Sequence, residues 1–237
     1  MAIKAIFYDL DGTLRVNQPI GWRVFSDYAL ELGVQVTEKS RLESARWTHS
    51  YFAESPELYA DRLAHLDEKS FWIQFSLRQL LVLGAAQKQA EELAPVMHHY
   101  MQTVYRPVDV IMPDLVETLQ ELKSQGYILG VMSNRDEPYV EYLGTLNLSE
   151  FFFIVMHAGE AGVYKPNPGV FDYMLKKAGV SAADSMYVGD NYYADVVGAR
   201  NAGLAPVLLD YDGIFADADC PVIKSHRQLL SVLKFSC

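Results

Sequence analysis

The stretch IKAIFYDLDGTL, residues 3–14, decides the fold because it runs from an apolar segment directly into an acidic loop. Ile3–Tyr8 is short and apolar, with β-branched and aromatic members, which is typical of a strand buried on both faces of a parallel sheet. The apolar pattern ends at Asp9, and Gly12 lets the backbone turn sharply. We therefore predict a first core strand followed by a loop that carries Asp9 and Asp11.

The second half of the chain, after Pro107, alternates between short apolar runs and amphipathic stretches. Strands alternating with helices of about 10–15 residues indicate βαβ units, and hence a parallel sheet with right-handed crossovers. The predicted strands are Tyr127–Met132, Phe152–Met156, Met186–Val188 and Pro206–Leu209, and the predicted helices are Asp114–Gln125, Pro138–Leu146, Pro168–Ala178 and Ala194–Ala202.

The segment from Pro19 to Arg106 has a different character, with apolar residues at helical spacing and no convincing strand. Breaks are expected at Gly33, at Ser55-Pro56 and at Gly84. The predicted helices are Trp22–Leu32, Lys39–Phe52, Lys69–Leu83 and Gln87–Tyr105. The predicted fold class is therefore α/β: a Rossmann-like core with a parallel sheet, built from residues 1–16 and 108–237, and an all-helical domain inserted at residues 17–107.

Composition excludes several classes of protein. The chain has 237 residues, of which 50% are hydrophobic and 21% charged, so it is long enough for one or two packed domains. Its net charge of −10 disfavours nucleic acid and anionic lipid as partners. Two cysteines, Cys220 and Cys237, do not make a secreted disulfide framework. The start of the chain lacks the apolar stretch of a signal peptide, and the longest apolar run, Leu80–Ala86, is too short to span a membrane. We expect a cytoplasmic protein with no nucleic-acid or membrane partner, and the oligomeric state stays open.

Chemically active side chains follow the predicted core strands. Ligands of doubly wound sheets bind outside the carboxyl ends of the strands, so these side chains are expected to meet at one rim. They are Asp9, Asp11 and Thr13 after the first strand, Ser133 and Asn134 after the second, Lys165 after the third, and Gly189 and Asp190 with Asp195 after the fourth. Taken alone, each group has a structural interpretation as a turn, a helix cap or a surface lysine. Their convergence on one rim favours a functional site.

Clustered carboxylates predict a cation, because several of them at one point repel each other. Ligands that are all oxygen favour a hard ion, and a site shared with phosphate favours Mg²⁺. The ion and Lys165 would together neutralise a phosphoryl group that the net charge of −10 would otherwise repel. A carboxylate placed in line could then attack phosphorus and form an aspartyl-phosphate. Arg15 and Arg135 lie beside this rim; we interpret Arg15 as a hinge residue and Arg135 as solvated or salt-bridged.

The chain resembles the haloacid dehalogenase superfamily, which consists mostly of phosphatases, and the helical insert resembles that family's C1-type cap. Four motifs carry the resemblance, in order: Asp9-Leu10-Asp11-Gly12-Thr13-Leu14, Ser133-Asn134, Lys165-Pro166, and Gly189-Asp190 through Asp195.

The resemblance implies a role for each residue of these motifs. Asp9 would be the nucleophile, and Asp11 the general acid and base. Mg²⁺ would be held by the Asp9 side chain, the Asp11 carbonyl and Asp190. The substrate phosphate would be bound by Gly12, Thr13, Ser133 and the backbone of Asn134. Lys165 would pair with the nucleophile and the phosphate, and Asp195 would support Lys165 or a metal-bound water.

The resulting prediction is a Mg²⁺-dependent phosphatase that cleaves a small phosphomonoester through an aspartyl-phosphate. A sugar-phosphate mutase of the same superfamily is the main alternative, and a phosphorylatable binding module is a third. Superfamily members that cleave carbon–halogen bonds lack an aspartate at the position of Asp11, so its presence disfavours a dehalogenase. The sequence leaves open which ester is used and which residues of the helical domain set specificity.

Overall fold

The sheet of the α/β unit is built from six parallel strands. The structure, a computed structural model, describes residues 3–235, so Cys237 lies outside the described residues. Along the chain the strands are β1 (Ala5–Tyr8), β2 (Arg15–Gln18), β3 (Val108–Ile111), β4 (Ile128–Ser133), β5 (Ile154–His157), β6 (Ser185–Gly189), β7 (Ala205–Leu209) and β8 (Val222–Ile223). The main sheet has the order β5-β4-β1-β6-β7-β8, and β2 pairs with β3 in a separate two-stranded sheet. The predicted α/β fold with a parallel sheet is confirmed.

Strand β1 lies in the middle of this sheet because it is apolar on both faces. Ile6 and Tyr8 pack into the cluster on one face, and Ala5 and Phe7 into the cluster on the other. Tyr8 is in register with Val131 of β4 and Val188 of β6. The chain leaves β1 toward β4 and β5 on one side and later builds β6, β7 and β8 on the other. This change of direction opens a crevice at the carboxyl ends of the central strands.

The α/β unit comprises the residues up to Val16 and from Ile111 onward. Its helices are α6 (Leu115–Ser124), α7 (Val140–Thr145), α8 (Ala158–Ala161), α9 (Pro168–Ala178), α10 (Val197–Asn201) and α11 (Leu229–Phe235), with a π-helical turn at Tyr192–Val196. Helix α9 has the bounds predicted from its apolar spacing, with Pro168 in its first turn and Gly179 in the left-handed conformation after its last residue.

The second unit, Asn17–Val110, is helical. Its helices are α1 (Gly21–Glu31), α2 (Glu38–Tyr51), α3 (Pro56–Ala64), α4 (Glu68–Leu83) and α5 (Gln87–Thr103). Helix α3 was not predicted, because Ser55-Pro56 was interpreted as the end of a helix. The pair instead begins one: the Ser55 hydroxyl accepts a hydrogen bond from the Leu58 N–H at 3.0 Å, and Pro56 occupies the first turn. None of the helices described here is long and apolar enough to cross a membrane.

Candidate active site

The ends of three neighbouring strands position the acidic loop and its partners. Asp9 follows the last residue of β1, Ser133 is the last residue of β4, and Asp190 follows the last residue of β6. Because β4, β1 and β6 are adjacent and parallel, these three residues lie at one edge of the sheet. The structure therefore brings the predicted residues of the first, second and fourth motifs to the same rim.

Lys165 is the central cation of the site. Its Nζ lies 2.6 Å from Asp9 Oδ1, 2.6 Å from Asp195 Oδ1 and 3.0 Å from the Tyr187 hydroxyl oxygen. The Tyr187 hydroxyl in turn donates to the Met132 carbonyl oxygen at 2.8 Å. The side chain of Lys165 is only 3% exposed, so its ammonium is held by these partners rather than by solvent.

The backbone of Lys165 is held by Asn134. The Asn134 side-chain amide donates to the Lys165 carbonyl oxygen at 3.0 Å, and its Oδ1 accepts from the Lys165 N–H at 2.8 Å. The second and third motifs are thereby joined, and the loop before α9 is fixed to the end of β4. From the sequence, Asn134 is expected to bind phosphate through its backbone; its side chain has the separate role of positioning the lysine.

Asp9, Asp190 and Asp195 form a compact carboxylate cluster. One oxygen from each lies within 4.8 Å of the others. Asp190 Oδ1 accepts from the Thr13 hydroxyl at 3.1 Å, and Asp195 Oδ2 accepts from the Asn191 N–H at 2.9 Å. These fixed hydrogen bonds orient Asp190 and Asp195 before any ligand binds.

Two glycines let the backbone approach these carboxylates. Gly12 has φ of +95°, and a Cβ there would lie 2.3 Å from Asp190 Oδ2. A Cβ at Gly189 would lie 2.2 Å from Asp195 Oδ2. Any larger residue at either position would displace a carboxylate of the cluster, which explains why glycine stands at both.

Burial and mutual repulsion dominate the electrostatics of the cluster. Burial raises the pKa of Asp9 to about 7; the charge of Lys165 opposes this shift, and those of Asp195 and Asp11 add to it. Burial also raises the pKa of Asp190 well above its usual value, and the charges of Asp9 and Asp195 raise it further. Burial alone would lower the pKa of Lys165, but Asp195 and Asp9 hold it well above its usual value. The charged form of Lys165 is therefore favoured.

This donor set fits a divalent cation. With all three carboxylates ionised, one ammonium leaves two negative charges uncompensated in a buried site, and a bound cation of charge two would balance them. The ligands are all oxygen, which suits a hard ion. The cluster can therefore hold a metal. Asp195 belongs to it together with Asp9 and Asp190, whereas the family resemblance implied the Asp11 carbonyl as the third ligand.

The side chain of Asp11 lies in a basic clamp. Arg135 Nε donates to Asp11 Oδ2 at 2.9 Å and Nη2 to Oδ1 at 2.8 Å, in bidentate fashion. Arg15 binds the same carboxylate through Nε at 2.8 Å and through Nη2. The Ser133 hydroxyl also donates to it, at 3.2 Å. Burial raises the pKa of Asp11, but the hydrogen bonds and charges of Arg135 and Arg15 outweigh burial and hold it below its usual value.

Arg135 is salt-bridged, but its partner is a residue of the site. Its guanidinium lies 4.9 Å from the centre of the Tyr142 ring and 5.7 Å from that of Tyr139, which fixes its orientation. The only sequence signal for this role was its place directly after Ser133-Asn134. The contact with Asp11 joins residues 124 positions apart in the sequence, so it could be found only from the folded structure.

His226, near the end of the described chain, binds the backbone of the acidic loop. His226 Nε2 lies 3.0 Å from the Thr13 carbonyl oxygen, so the ring donates there, and the side chain is fully buried. Burial lowers the pKa of His226 to about 4, which keeps the ring neutral. His226 therefore stabilises the loop that carries Asp9 and Asp11.

Comparison with known proteins identifies the family of the chain. A family model described as haloacid dehalogenase-like hydrolase matches residues 3–203. A glyceraldehyde 3-phosphate phosphatase of Pyrococcus furiosus is 28% identical over 240 residues, covering 98% of this chain and 93% of the relative. A phosphoglycolate phosphatase of Pseudomonas savastanoi pv. phaseolicola is 29% identical over 215 residues, covering 88% and 70%. A crystal structure of a 2-haloacid dehalogenase from Pseudomonas syringae pv. Tomato has a TM-score of 0.56 at 24% identity, covering 99% of this chain and all of that one.

The chain belongs to the haloacid dehalogenase-like hydrolases. The resemblance inferred from the four motifs is confirmed, and the predicted enzyme class, a hydrolase of this family, is confirmed with it. The similarity to the dehalogenase structure shows the fold alone. The relatives named as phosphatases support the phosphatase branch.

Proposed function

We propose that this protein is a Mg²⁺-dependent phosphatase that hydrolyses a small phosphomonoester through an aspartyl-phosphate on Asp9. The observation that carries the proposal is the buried pairing of Asp9 with Lys165 at 2.6 Å, beside Asp190 and Asp195. This arrangement gives the incoming phosphoryl group a nucleophilic oxygen on Asp9 and a fixed cation beside it. Relatives named as phosphatases of glyceraldehyde 3-phosphate and phosphoglycolate support a small metabolite as substrate.

The proposed reaction has two steps. In the first, a carboxylate oxygen of Asp9 forms a bond to phosphorus, the ester P–O bond breaks, and Asp11 gives its proton to the leaving oxygen. In the second, Asp11 takes a proton from water as the water oxygen attacks phosphorus. The bond between phosphorus and Asp9 then breaks, and inorganic phosphate leaves with Asp9 regenerated.

The other residues of the rim bind and position. Lys165 pairs with the phosphate and with Asp9, and Asp195 holds Lys165 in place through its 2.6 Å contact. Donors for the phosphate oxygens come from Gly12, Thr13, Ser133 and the backbone of Asn134. Mg²⁺ would be held by the Asp9 and Asp190 side chains and the Asp11 carbonyl, with the Asp195 carboxylate beside them and bound to Lys165. When bound, the ion would place positive charge beside the phosphate oxygens.

The basic clamp sets a condition on the first step. Asp11 must carry a proton to act as an acid, yet Arg15 and Arg135 stabilise its carboxylate. At least one guanidinium has to leave Asp11 before proton transfer. The substrate phosphate is an anion that competes for the same guanidinium groups. Substrate binding would therefore release Asp11 for acid catalysis.

Phosphate release from a panel of phosphomonoesters tests the proposal. The panel includes glyceraldehyde 3-phosphate, phosphoglycolate and phosphoserine, each assayed with Mg²⁺ and with a chelator. We expect turnover only with Mg²⁺ and its loss in Asp9→Asn. Asp172→Asn, an exposed aspartate on α9, is the matched control and should retain full activity. Turnover that survives in Asp9→Asn would refute the proposed nucleophile.

The same samples separate the phosphatase from the alternatives. A mutase would isomerise a sugar phosphate without releasing phosphate, and chromatography of the products detects this. A phosphorylatable binding module would keep phosphate on Asp9 for minutes after the substrate is removed. Chloride release from 2-chloropropionate would indicate a dehalogenase. The proposal expects phosphate as the released product and none of these three results.

A further inference from the structure

The helical unit contains a cavity of about 410 Å³. Every residue that lines it lies between Asn17 and Tyr105, so the cavity is formed within this unit. Protein interiors seldom leave space much larger than a water molecule, whereas small-molecule sites are commonly a few hundred cubic ångströms. Its size is that of a binding site rather than of a packing defect.

Two neighbouring helices, α4 and α5, line the cavity with residues at the same spacing. Helix α4 contributes Trp72, Phe75, Ser76 and Gln79, and α5 with the residues after it contributes His98, Met101, Gln102 and Tyr105. Both sets follow the i, i+3, i+4, i+7 pattern of a single helix face. A face of this kind normally packs against a neighbouring helix, but here it combines aromatic with polar side chains around an open space.

The walls of the cavity are mainly aromatic. Trp22 and Phe25 from α1, together with Phe52, Trp72 and Phe75, supply broad apolar surfaces. Flat rings of this kind stack on a planar ligand and stabilise it through contact area. The cavity therefore selects for an apolar, planar group.

A small polar set completes the lining. Gln79 is buried, and its amide donates to the Ser44 hydroxyl at 3.3 Å and to the Thr48 hydroxyl at 3.4 Å, which fixes the orientation of the amide. Buried glutamine is uncommon, and a few fixed polar groups in an aromatic pocket provide orientation and specificity. The ligand is expected to carry a hydrogen-bonding group as well as its apolar body.

The lining carries no formal charge. Among the described residues, no lysine, arginine, aspartate or glutamate lines the cavity. His98 is the imidazole among the described lining residues; burial, together with the charge of nearby Lys69, lowers its pKa and so favours the neutral ring. A charged ligand would gain no counter-ion from this lining, so the cavity favours an uncharged one.

We propose that the cavity of the helical unit is a binding site for an uncharged, planar aromatic group that carries a hydrogen-bonding substituent. Binding of the group itself does not depend on the reaction proposed for the α/β unit.

Calorimetric titration with 2-naphthamide and 2-naphthoate tests the site, because the two probes share one shape and differ in charge. We expect the amide to bind about tenfold or more tightly than the carboxylate. Ser76→Leu fills the cavity from α4 and should weaken amide binding by about tenfold or more. Ser124→Leu is the matched control: its hydroxyl makes a similar bond to a backbone carbonyl within a helix, but it is exposed on α6.

A second variant guards against misfolding. Gln102→Trp fills the cavity from the exposed side of α5, where no core packing is disturbed, and should also abolish binding. Equal affinity for both naphthalene probes, or amide binding that persists in both filled variants, would overturn the proposal. The same holds if neither probe binds.

Phosphatase assays on the same samples keep this site distinguishable from the proposed reaction. Loss of phosphatase activity with intact amide binding would count against the proposed reaction alone.

Discussion

Replacing Lys165 by methionine is expected to remove about 3–5 kcal/mol from the free energy of unfolding. Methionine keeps most of the side-chain volume but leaves two carboxylates without their cation. Lys165 Nζ lies 2.6 Å from both Asp9 and Asp195, and the three side chains are 3%, 8% and 2% exposed. Water cannot take the place of the ammonium at this depth, so the full cost of the unpaired charges is expected.

A surface lysine provides the scale for this value. Lys177 Nζ lies at the same distance, 2.6 Å, from Glu160, but these side chains are 40% and 30% exposed. Solvent screens that pair, and Lys177→Met is expected to cost about 0–1 kcal/mol. The two substitutions remove the same chemical group at the same distance, so the difference between them reports burial together with the second carboxylate that Lys165 binds.

Denaturant unfolding of the wild type and both variants, followed by circular dichroism in a chelator, measures the difference. The expected loss for Lys165→Met corresponds to a decrease of about 6–20 °C in Tm. The pKa of Asp9 is already raised to about 7 by burial, and it rises further once Lys165 is gone. A group with a raised pKa binds more protons when folded than when unfolded, so the deficit should shrink as the pH falls from 8 to 5. Costs for the two variants that agree within about 1 kcal/mol would refute this reasoning.

Two further predictions concern the acidic loop. Burial lowers the pKa of His226 to about 4 from 6.5, so between these values the folded state binds fewer protons than the unfolded state. The associated stability, about 3 kcal/mol, is fully present above pH 6.5 and should be lost as the pH falls toward 4. His226→Gln keeps a donor for the Thr13 carbonyl. In this variant the slope of the free energy of unfolding against pH should be smaller by about one proton. An unchanged slope would contradict the role given to His226. Gly12→Ala should weaken Mg²⁺ binding measured by calorimetry, because its Cβ would lie 2.3 Å from Asp190 Oδ2. Gly162→Ala is the control, because Gly162 also has a positive φ, +69°, but has open space around it. This substitution should cost only about 1–2 kcal/mol of strain and leave Mg²⁺ binding unchanged. Equal Mg²⁺ affinity in the two variants would contradict the role of Gly12.

The strands of the main sheet were largely predictable because buried parallel strands are continuous apolar runs. Ile3–Tyr8 was predicted and Ala5–Tyr8 is the strand; Tyr127–Met132 was predicted and Ile128–Ser133 is the strand. Strand β8 escaped prediction because it has only two residues, Val222 and Ile223. A run so short has no periodicity to detect, and its pairing with β7 exists only in the folded chain.

The helix after β6 shows where local patterns mislead. It was predicted to begin at Ala194, but a π-helical turn begins at Tyr192. The Asn191 side chain accepts hydrogen bonds from the N–H groups of Tyr193 and Ala194, and this cap starts the turn two residues earlier than predicted. Asp195 thereby comes within 2.6 Å of Lys165.

The members of the site were predictable from the sequence, and its connections were not. Asp9, Asp190 and Lys165 could be placed at one rim because each follows a core strand. The Tyr187 hydroxyl could not be assigned to Lys165, since Tyr187 is an apolar-run residue whose direction depends on the register of β6. His226 lies 213 residues from its partner Thr13, beyond the reach of any local pattern.

The cavity in the helical unit was missed for a different reason. The residues of α4 and α5 that line it have the spacing of an ordinary buried helix face, and periodicity alone does not distinguish a packed face from the wall of a pocket. The buried Gln79 was the available signal, because an uncharged polar residue within an apolar stripe needs a partner.

The most direct test of the account is to find where the phosphoryl group goes. The enzyme is mixed with Mg²⁺ and its preferred phosphomonoester, quenched in acid within milliseconds, and digested for mass spectrometry. We expect one added phosphoryl group on the wild-type peptide that contains Asp9, and none on the corresponding peptide of Asp9→Asn. The Asp11→Asn variant is examined in the same way, because hydrolysis of the intermediate should be slowed in it. A phosphoryl group on another residue would contradict the proposed mechanism. So would rapid turnover by the wild type with no phosphorylated peptide in either the quenched wild type or Asp11→Asn.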